Sequence, residues 1–254
     1  MEGEMRLQQS TWMEVKEYIE RSPGIILPTG STEQHGPMGV LGVDTFCAQA
    51  IAWRVGELSS AMVGPCLNVG MSEHHMTFAG SMTLRPSTYI AVVRDCILSL
   101  VHHGFRRFFI INGHGGNTAS LNAAFSEIYG EIRVHYMTDQ PDIRCKALKW
   151  FENQPCEELS LKLFGHTATG HASAAEVSIS QFAHRENIKQ AELNPQFAPD
   201  HGHVFYNSQD FRRRFADGRI DSDPSVATPQ AGSEMVETAA RFLSRCYEDF
   251  LSES

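Results

Sequence analysis

The chain has 254 residues, 42% hydrophobic and 20% charged, enough to bury one sizeable α/β core over residues 1–254. Its net charge of -9 and lack of a long Lys/Arg stripe argue against nucleic acid as a main partner. No apolar run approaches the roughly 20 residues of a membrane span, the polar start Met1–Arg6 has no signal-peptide core, and six cysteines without a CxxC pair read as reduced thiols of a cytoplasmic protein.

Taken in order, residues 11–22 predict a short amphipathic helix with Trp12, Val15 and Ile19 inward. Gly24–Leu27 reads as a buried strand, and it delivers Gly30-Ser31-Thr32-Glu33-Gln34-His35-Gly36-Pro37, with Asp44 just beyond. The spacing of Phe46, Ala50 and Trp53 predicts a helix to about Leu58, and Ala61–Val69 a second strand interrupted by Gly64-Pro65. The polar loop Ser72–Phe78 carries His74 and His75, and Pro86 opens a helix running to His103. Arg107–Ile111 is an apolar strand of the parallel kind, followed by Asn112-Gly113-His114-Gly115-Gly116-Asn117 and a helix from about Thr118. Ile132–Tyr136 reads as a strand, 141–163 as a weaker helix, 195–230 as loop-rich, and 233–251 as a closing helix. The compact basic run Arg212-Arg213-Arg214 reads as a solvated or interface face. Alternating strands and helices with helix-length crossovers predict a parallel sheet covered on both faces.

Three clusters carry chemistry. Glu33 and His35 leave a strand end together, where open α/β sheets bind ligands. With Asp44 they offer oxygen and nitrogen donors without thiolate, which suits Zn, Mn or Fe(II). An ordinary polar loop with a hydrogen-bonded His35 is the alternative. In the second cluster, glycines on either side of His114 permit a sharp turn that aims the imidazole into a cleft. A phosphate-cradling loop lacks the GxGxxG or GxxxxGK[ST] spacing, and a tight turn with an incidental histidine stays open. In the third, His171 precedes Ser173-Ala174-Ala175-Glu176, which fits a capping box, so Glu176 is either a helix cap or a ligand. His74 and His75 fit the mouth of a cleft, and His102 and His103 a helix end.

Assembled, these segments resemble the creatininase (creatinine amidohydrolase) family. The resemblance rests on Leu27 through Pro37, Asp44, Asn112 through Asn117, and Gly170-His171-Ala172 through Ser178, with weaker echoes in Glu73-His74, Phe78–Leu84 and Asp223–Pro229. It implies a three-layer α/β/α sandwich with a mainly parallel sheet, often hexameric, holding two divalent metals per chain. By resemblance Glu33 and His114 bind one metal, His35 the other, and Asp44 bridges them. Creatinine-hydrolysing members place a glutamate ligand where Gly116 stands and a tryptophan where Thr167 stands. Glu176 is then the replacement ligand, and the reaction class is a safer inference than creatinine as substrate.

The implied reaction is hydrolysis of an amide C–N bond in a small cyclic amide or formamide, by attack of metal-bound hydroxide. His171 and Glu176 are the expected catalytic residues, with His171 carrying a proton to the leaving nitrogen. Ser72, His74, His75, Gly115 and Gly116 are the expected substrate contacts. The competing readings are a metallopeptidase-like enzyme that trims a modified peptide, and a non-catalytic metal- or nucleotide-binding module.

Overall fold

The computed structural model describes residues 5–135, 138–165, 170–202 and 204–253. Thr167, and Tyr136 at the end of an expected strand, lie outside them. Five strands form one sheet: β1 (Met5–Arg6), β2 (Gly24–Thr29), β3 (Met62–Val63), β4 (Arg107–Asn112) and β5 (Arg144–Lys149). Their order is β1-β3-β2-β4-β5, and every pairing between them is parallel. Eight α-helices occur among the described residues: α1 (Trp12–Arg21), α2 (Val43–Ser59), α3 (Pro86–His103), α4 (Thr118–His135), α5 (Gln154–Phe164), α6 (Ala174–Ala183), α7 (Ser208–Arg214) and α8 (Pro229–Ser252).

The pleat of the central strands sorts the core into two layers. Ile26, Phe109 and Ile111 pack under α2, α5, α6 and α8, against Ile51, Val55, Met235 and Leu243. Ile25, Phe108 and Ile110 face the other way, against Tyr18 of α1, Tyr89 and Ile97 of α3, and Leu121 and Ile128 of α4. The result is an α/β/α sandwich with both faces of a parallel sheet covered.

Several ends follow local chemistry. Thr11 and Glu14 close a capping box on α1, Pro86 stands at the start of α3, and Gly104 ends α3 at φ 116°, where a side chain would be strained. Other boundaries depart from the sequence reading. Ile132–His135 continues α4, with Ile132 buried in the helix-side core, and does not begin a strand. The helix expected over 141–163 divides into β5 and α5. In β5, Arg144, Cys145, Lys146, Ala147, Leu148 and Lys149 favour helix by composition, yet they pair along the whole of β4. The second expected strand is ordered as a strand only at Met62–Val63, and the closing helix begins earlier, at Pro229. The loop-rich region contains α7, where Arg213 pairs with Asp210 at 3.1 Å and Arg212 stacks 4.1 Å from the Phe78 ring centre.

Candidate metal centre

The site lies at the carboxyl ends of β2 and β4, between which α2 begins. That fit needs glycine on both sides. A Cβ on Gly30 would stand 2.5 Å from the Thr45 nitrogen, and one on Gly113 would stand 2.2 Å from the Asp44 carbonyl oxygen. The close approach puts Asp44, in the first turn of α2, directly between the two strand ends, where the helix dipole also favours its charge. Asn117 ties the loops together, donating to the Gly30 carbonyl at 3.0 Å and accepting from the Met71 amide at 3.0 Å.

Glu33, His35 and Asp44 are 0%, 0% and 3% exposed, and His114 is 6% exposed. The backbone fixes how each imidazole faces. His35 Nδ1–H donates to the Glu33 carbonyl at 3.1 Å, which leaves Nε2 facing Asp44 Oδ1 at 3.1 Å. His114 Nε2–H donates to the Met71 carbonyl at 3.1 Å, which leaves Nδ1 3.2 Å from Asp44 Oδ2 and 3.3 Å from Glu33 Oε1. In both rings the second nitrogen points its lone pair at carboxylate oxygen, an arrangement that only a proton or a cation can make favourable.

The charges say the same. Glu33 Oε1 and Asp44 Oδ2 are buried without a hydrogen-bond partner among the described residues, a costly state for an anion. Burial opposes charge on His35, but Asp44 outweighs it and holds the ring's pKa at about 10. Burial likewise opposes charge on His114, and Glu33 and Asp44 push it up to about 9. Asp44 is held well below the ordinary carboxylate range, its burial outweighed by His35 and His114. These are the signs of a cation site, and the donor set fits a divalent metal. Three groupings lie close enough to hold an ion: Glu33, His35 and Asp44; His35, His171 and Glu176; and Glu33, His75 and His171.

Glu176 is the helix cap of one sequence reading and also stands among the candidate ligands of the other. Its Oε1 accepts from the Ser173 amide at 2.6 Å and completes a capping box on α6, yet its carboxylate still comes within reach of His35 and His171. Burial raises its pKa to about 7, against the lowering effect of His35. His171 is partly exposed to the pocket, and burial followed by the charge of His35 pushes its pKa well below the ordinary value. It donates from Nε2 to the Gln34 carbonyl at 2.8 Å, which leaves Nδ1 as its accepting nitrogen.

A pocket of about 260 Å³ opens onto Glu33, Asp44, His114, His171 and Glu176. His74, His75, Gly115 and Gly116 also line it. Ser72 does not. It is fully buried and donates to Glu33 Oε2, so it sits behind the carboxylate and steadies it. A Cβ on Gly116 would fall 2.4 Å from His114 Nε2, so the glutamate that resemblance puts at this position has no room beside the ring as it stands.

Two neighbours were under-read from sequence. His75 is only 1% exposed, with Nε2 3.3 Å from Glu33 Oε1. Gln34 donates to His75 Nδ1 at 3.0 Å and to the Gly218 carbonyl at 2.9 Å, while its own carbonyl holds His171. The available signal was its place in the motif, between two candidate ligands.

Comparison with known proteins agrees with this architecture. Residues 8–247 match the creatininase family, described as creatinine amidohydrolase. A creatinine amidohydrolase of Pseudomonas putida is 32% identical over 135 residues, 51% of this chain and 52% of that protein. A mycofactocin precursor peptide peptidase of Mycobacterium tuberculosis is 33% identical over 122 residues, 44% of this chain and 48% of that protein. The chain thus spans about half the length of these relatives. The zinc–zinc form of a creatininase variant superposes with a TM-score of 0.83 at 22% identity, covering 98% of both chains. With a family match over nearly its whole length and the same fold, the chain belongs to the creatininase family of hydrolases.

Proposed function

We propose that the protein is a metal-dependent hydrolase of a non-peptide amide C–N bond, acting on a small cyclic amide or formamide. In this reading Glu33, His114 and Asp44 would hold one divalent ion, and His35, Asp44 and Glu176 would hold a second. The observation that carries it is the pair of imidazole nitrogens turned onto buried carboxylate oxygens, two of which have no hydrogen-bond partner among the described residues. The zinc–zinc relative supports two ions of this kind, and Zn, Mn and Fe(II) all suit the donors. Bound there, such ions supply an activated water and polarise the amide carbonyl.

The chain's own groups manage the protons. His171 is neutral at pH 7 and anchored through Nε2–H, so its accepting nitrogen is free to take a proton and pass it to the leaving nitrogen. Glu176 titrates near neutrality in the metal-free protein, so taking up the second ion would draw a proton from it. Ser72 keeps Glu33 in place, and Gln34 fixes the orientation of both His75 and His171. His74, His75, Gly115 and Gly116 frame the space for the amide. The reading extends to a cytoplasmic homo-oligomer, a hexamer by family resemblance.

A second reading is peptide trimming, favoured by the identity to the mycobacterial peptidase. The test is to strip the protein with chelator, reload it with zinc or manganese, and assay cyclic amides, formamides and short peptides for released amine. Turnover of cyclic amides or formamides only after reloading is the expected result. Turnover confined to peptides favours the second reading. Loaded protein inert toward all three, yet tightly binding a nucleotide without metal, favours a non-catalytic module.

A further inference from the structure

A second chamber of about 600 Å³ adjoins the metal-side pocket and shares Phe151, Gly170 and Glu176 with it. Its remaining wall is mainly apolar, formed where β5 ends and along α5, α6 and α8 by Trp150, Cys156, Leu161, Ala175 and Met235. Amides the size of a single small ring need only the 260 Å³ space, whereas the two spaces together reach the range of drug-sized ligands, roughly 300–1,000 Å³.

Two further observations describe what fits. Trp150 is 2% exposed, and its indole N–H, a donor only, has no partner among the described residues. No Lys or Arg occurs among the described lining residues, while Glu152 and Glu157 stand exposed at the rim. An anionic group would therefore meet repulsion, and a neutral or cationic one would not.

We propose that this chamber receives the non-reacting part of the substrate, an aryl or branched-alkyl group carrying a hydrogen-bond acceptor and no negative charge. The physiological amide is then larger than one small ring, with its C–N bond at the metal centre and its apolar end between Trp150 and Leu161. The inference rests on the hydrolase reading above, and its test separates the two.

Zinc-loaded protein is assayed on N-methylformamide and N-phenethylformamide, in wild type and in Leu161→Trp and Ser160→Phe variants whose metal content has been checked. Leu161 is largely exposed at the rim, so its variant tests the chamber without burdening the core. The phenethyl compound is expected to show a kcat/KM about 10- to 100-fold higher in wild type, and this ratio to collapse in both variants. A wild-type ratio near one overturns the proposal. If neither formamide is hydrolysed, the hydrolase reading for formamides fails, and binding of N-(4-fluorophenethyl)formamide followed by fluorine NMR decides the chamber alone. Binding that both variants abolish supports it, and no binding to wild type overturns it.

Discussion

Glu33, His114 and Asp44 Oδ2 meet with every donor residue buried, whereas the cluster of His35, Asp44 Oδ1, Glu176 and His171 has two partly exposed members, Glu176 and His171. The first cluster has unpartnered oxygen and a helper, Ser72, whose buried hydroxyl links Glu33 to the Ser31 hydroxyl behind it. In the second, Glu176 divides its carboxylate between a helix cap and the site. A ligand with one task is held by its surroundings, and a ligand with two is available for exchange or proton transfer. On this basis the first proposed ion is the structural anchor and the second the more labile one.

Asp44 belongs to both halves, so its removal should have the largest effect. Asp44→Ala is expected to lose all bound metal and all metal-dependent turnover, measured by elemental analysis and amine release. Retained full metal would place the bridge elsewhere. Next is His171→Ala, expected to keep its metal while kcat falls about 10²- to 10⁴-fold. Metal loss there would make His171 a ligand of the open half.

Ser72→Ala sharpens the contrast from the buried side. It should weaken the tighter ion about 10- to 100-fold, the usual cost of losing a ligand's supporting hydrogen bond, while leaving the other unchanged in a chelator competition. pH then separates the halves more gently. In the metal-free protein His35 and His114 keep their protons up to about 10 and about 9, and each must give one up to bind metal. Affinity at each half should therefore fall about 10-fold per pH unit as pH drops below 9, with protons released on uptake. Calorimetric titration in buffers of different ionisation enthalpy reads that proton count directly.

How much of this was readable in the sequence depended on how local the cause was. The strands β2 and β4, the proline that opens α3, and the two strand-end motifs carry their signals within a few residues. β5 does not: Arg144, Lys146 and Lys149 are interspersed with Cys145, Ala147 and Leu148 without strict alternation, all only partly buried, and its identity comes from pairing with β4. Ile132–His135 has strand-like composition, but the packing of Ile128 and Ile132 into one core keeps it helical. At the site, residue type and spacing pointed to Glu33, His35, Asp44 and His114 as candidates. The same logic could not reveal that Ser72 stands behind Glu33, or that His75 reaches it across the fold, since both contacts span about 40 positions. For Glu176 the cap and the proximity to His35 coexist, and only the three-dimensional arrangement shows that one does not exclude the other.

The central claim is that Asp44 joins two proposed ion sites, one of buried donors with Glu33 and His114 and one completed by Glu176. Metal per chain, measured by elemental analysis on wild type and on Glu176→Ala purified side by side, tests it most directly. The account predicts two ions in wild type and one in the variant, with the remaining ion no easier to remove by chelator. Two ions in both proteins would leave Glu176 as a helix cap only, and an absence of metal from wild-type protein after reloading would contradict the metal-centre reading itself.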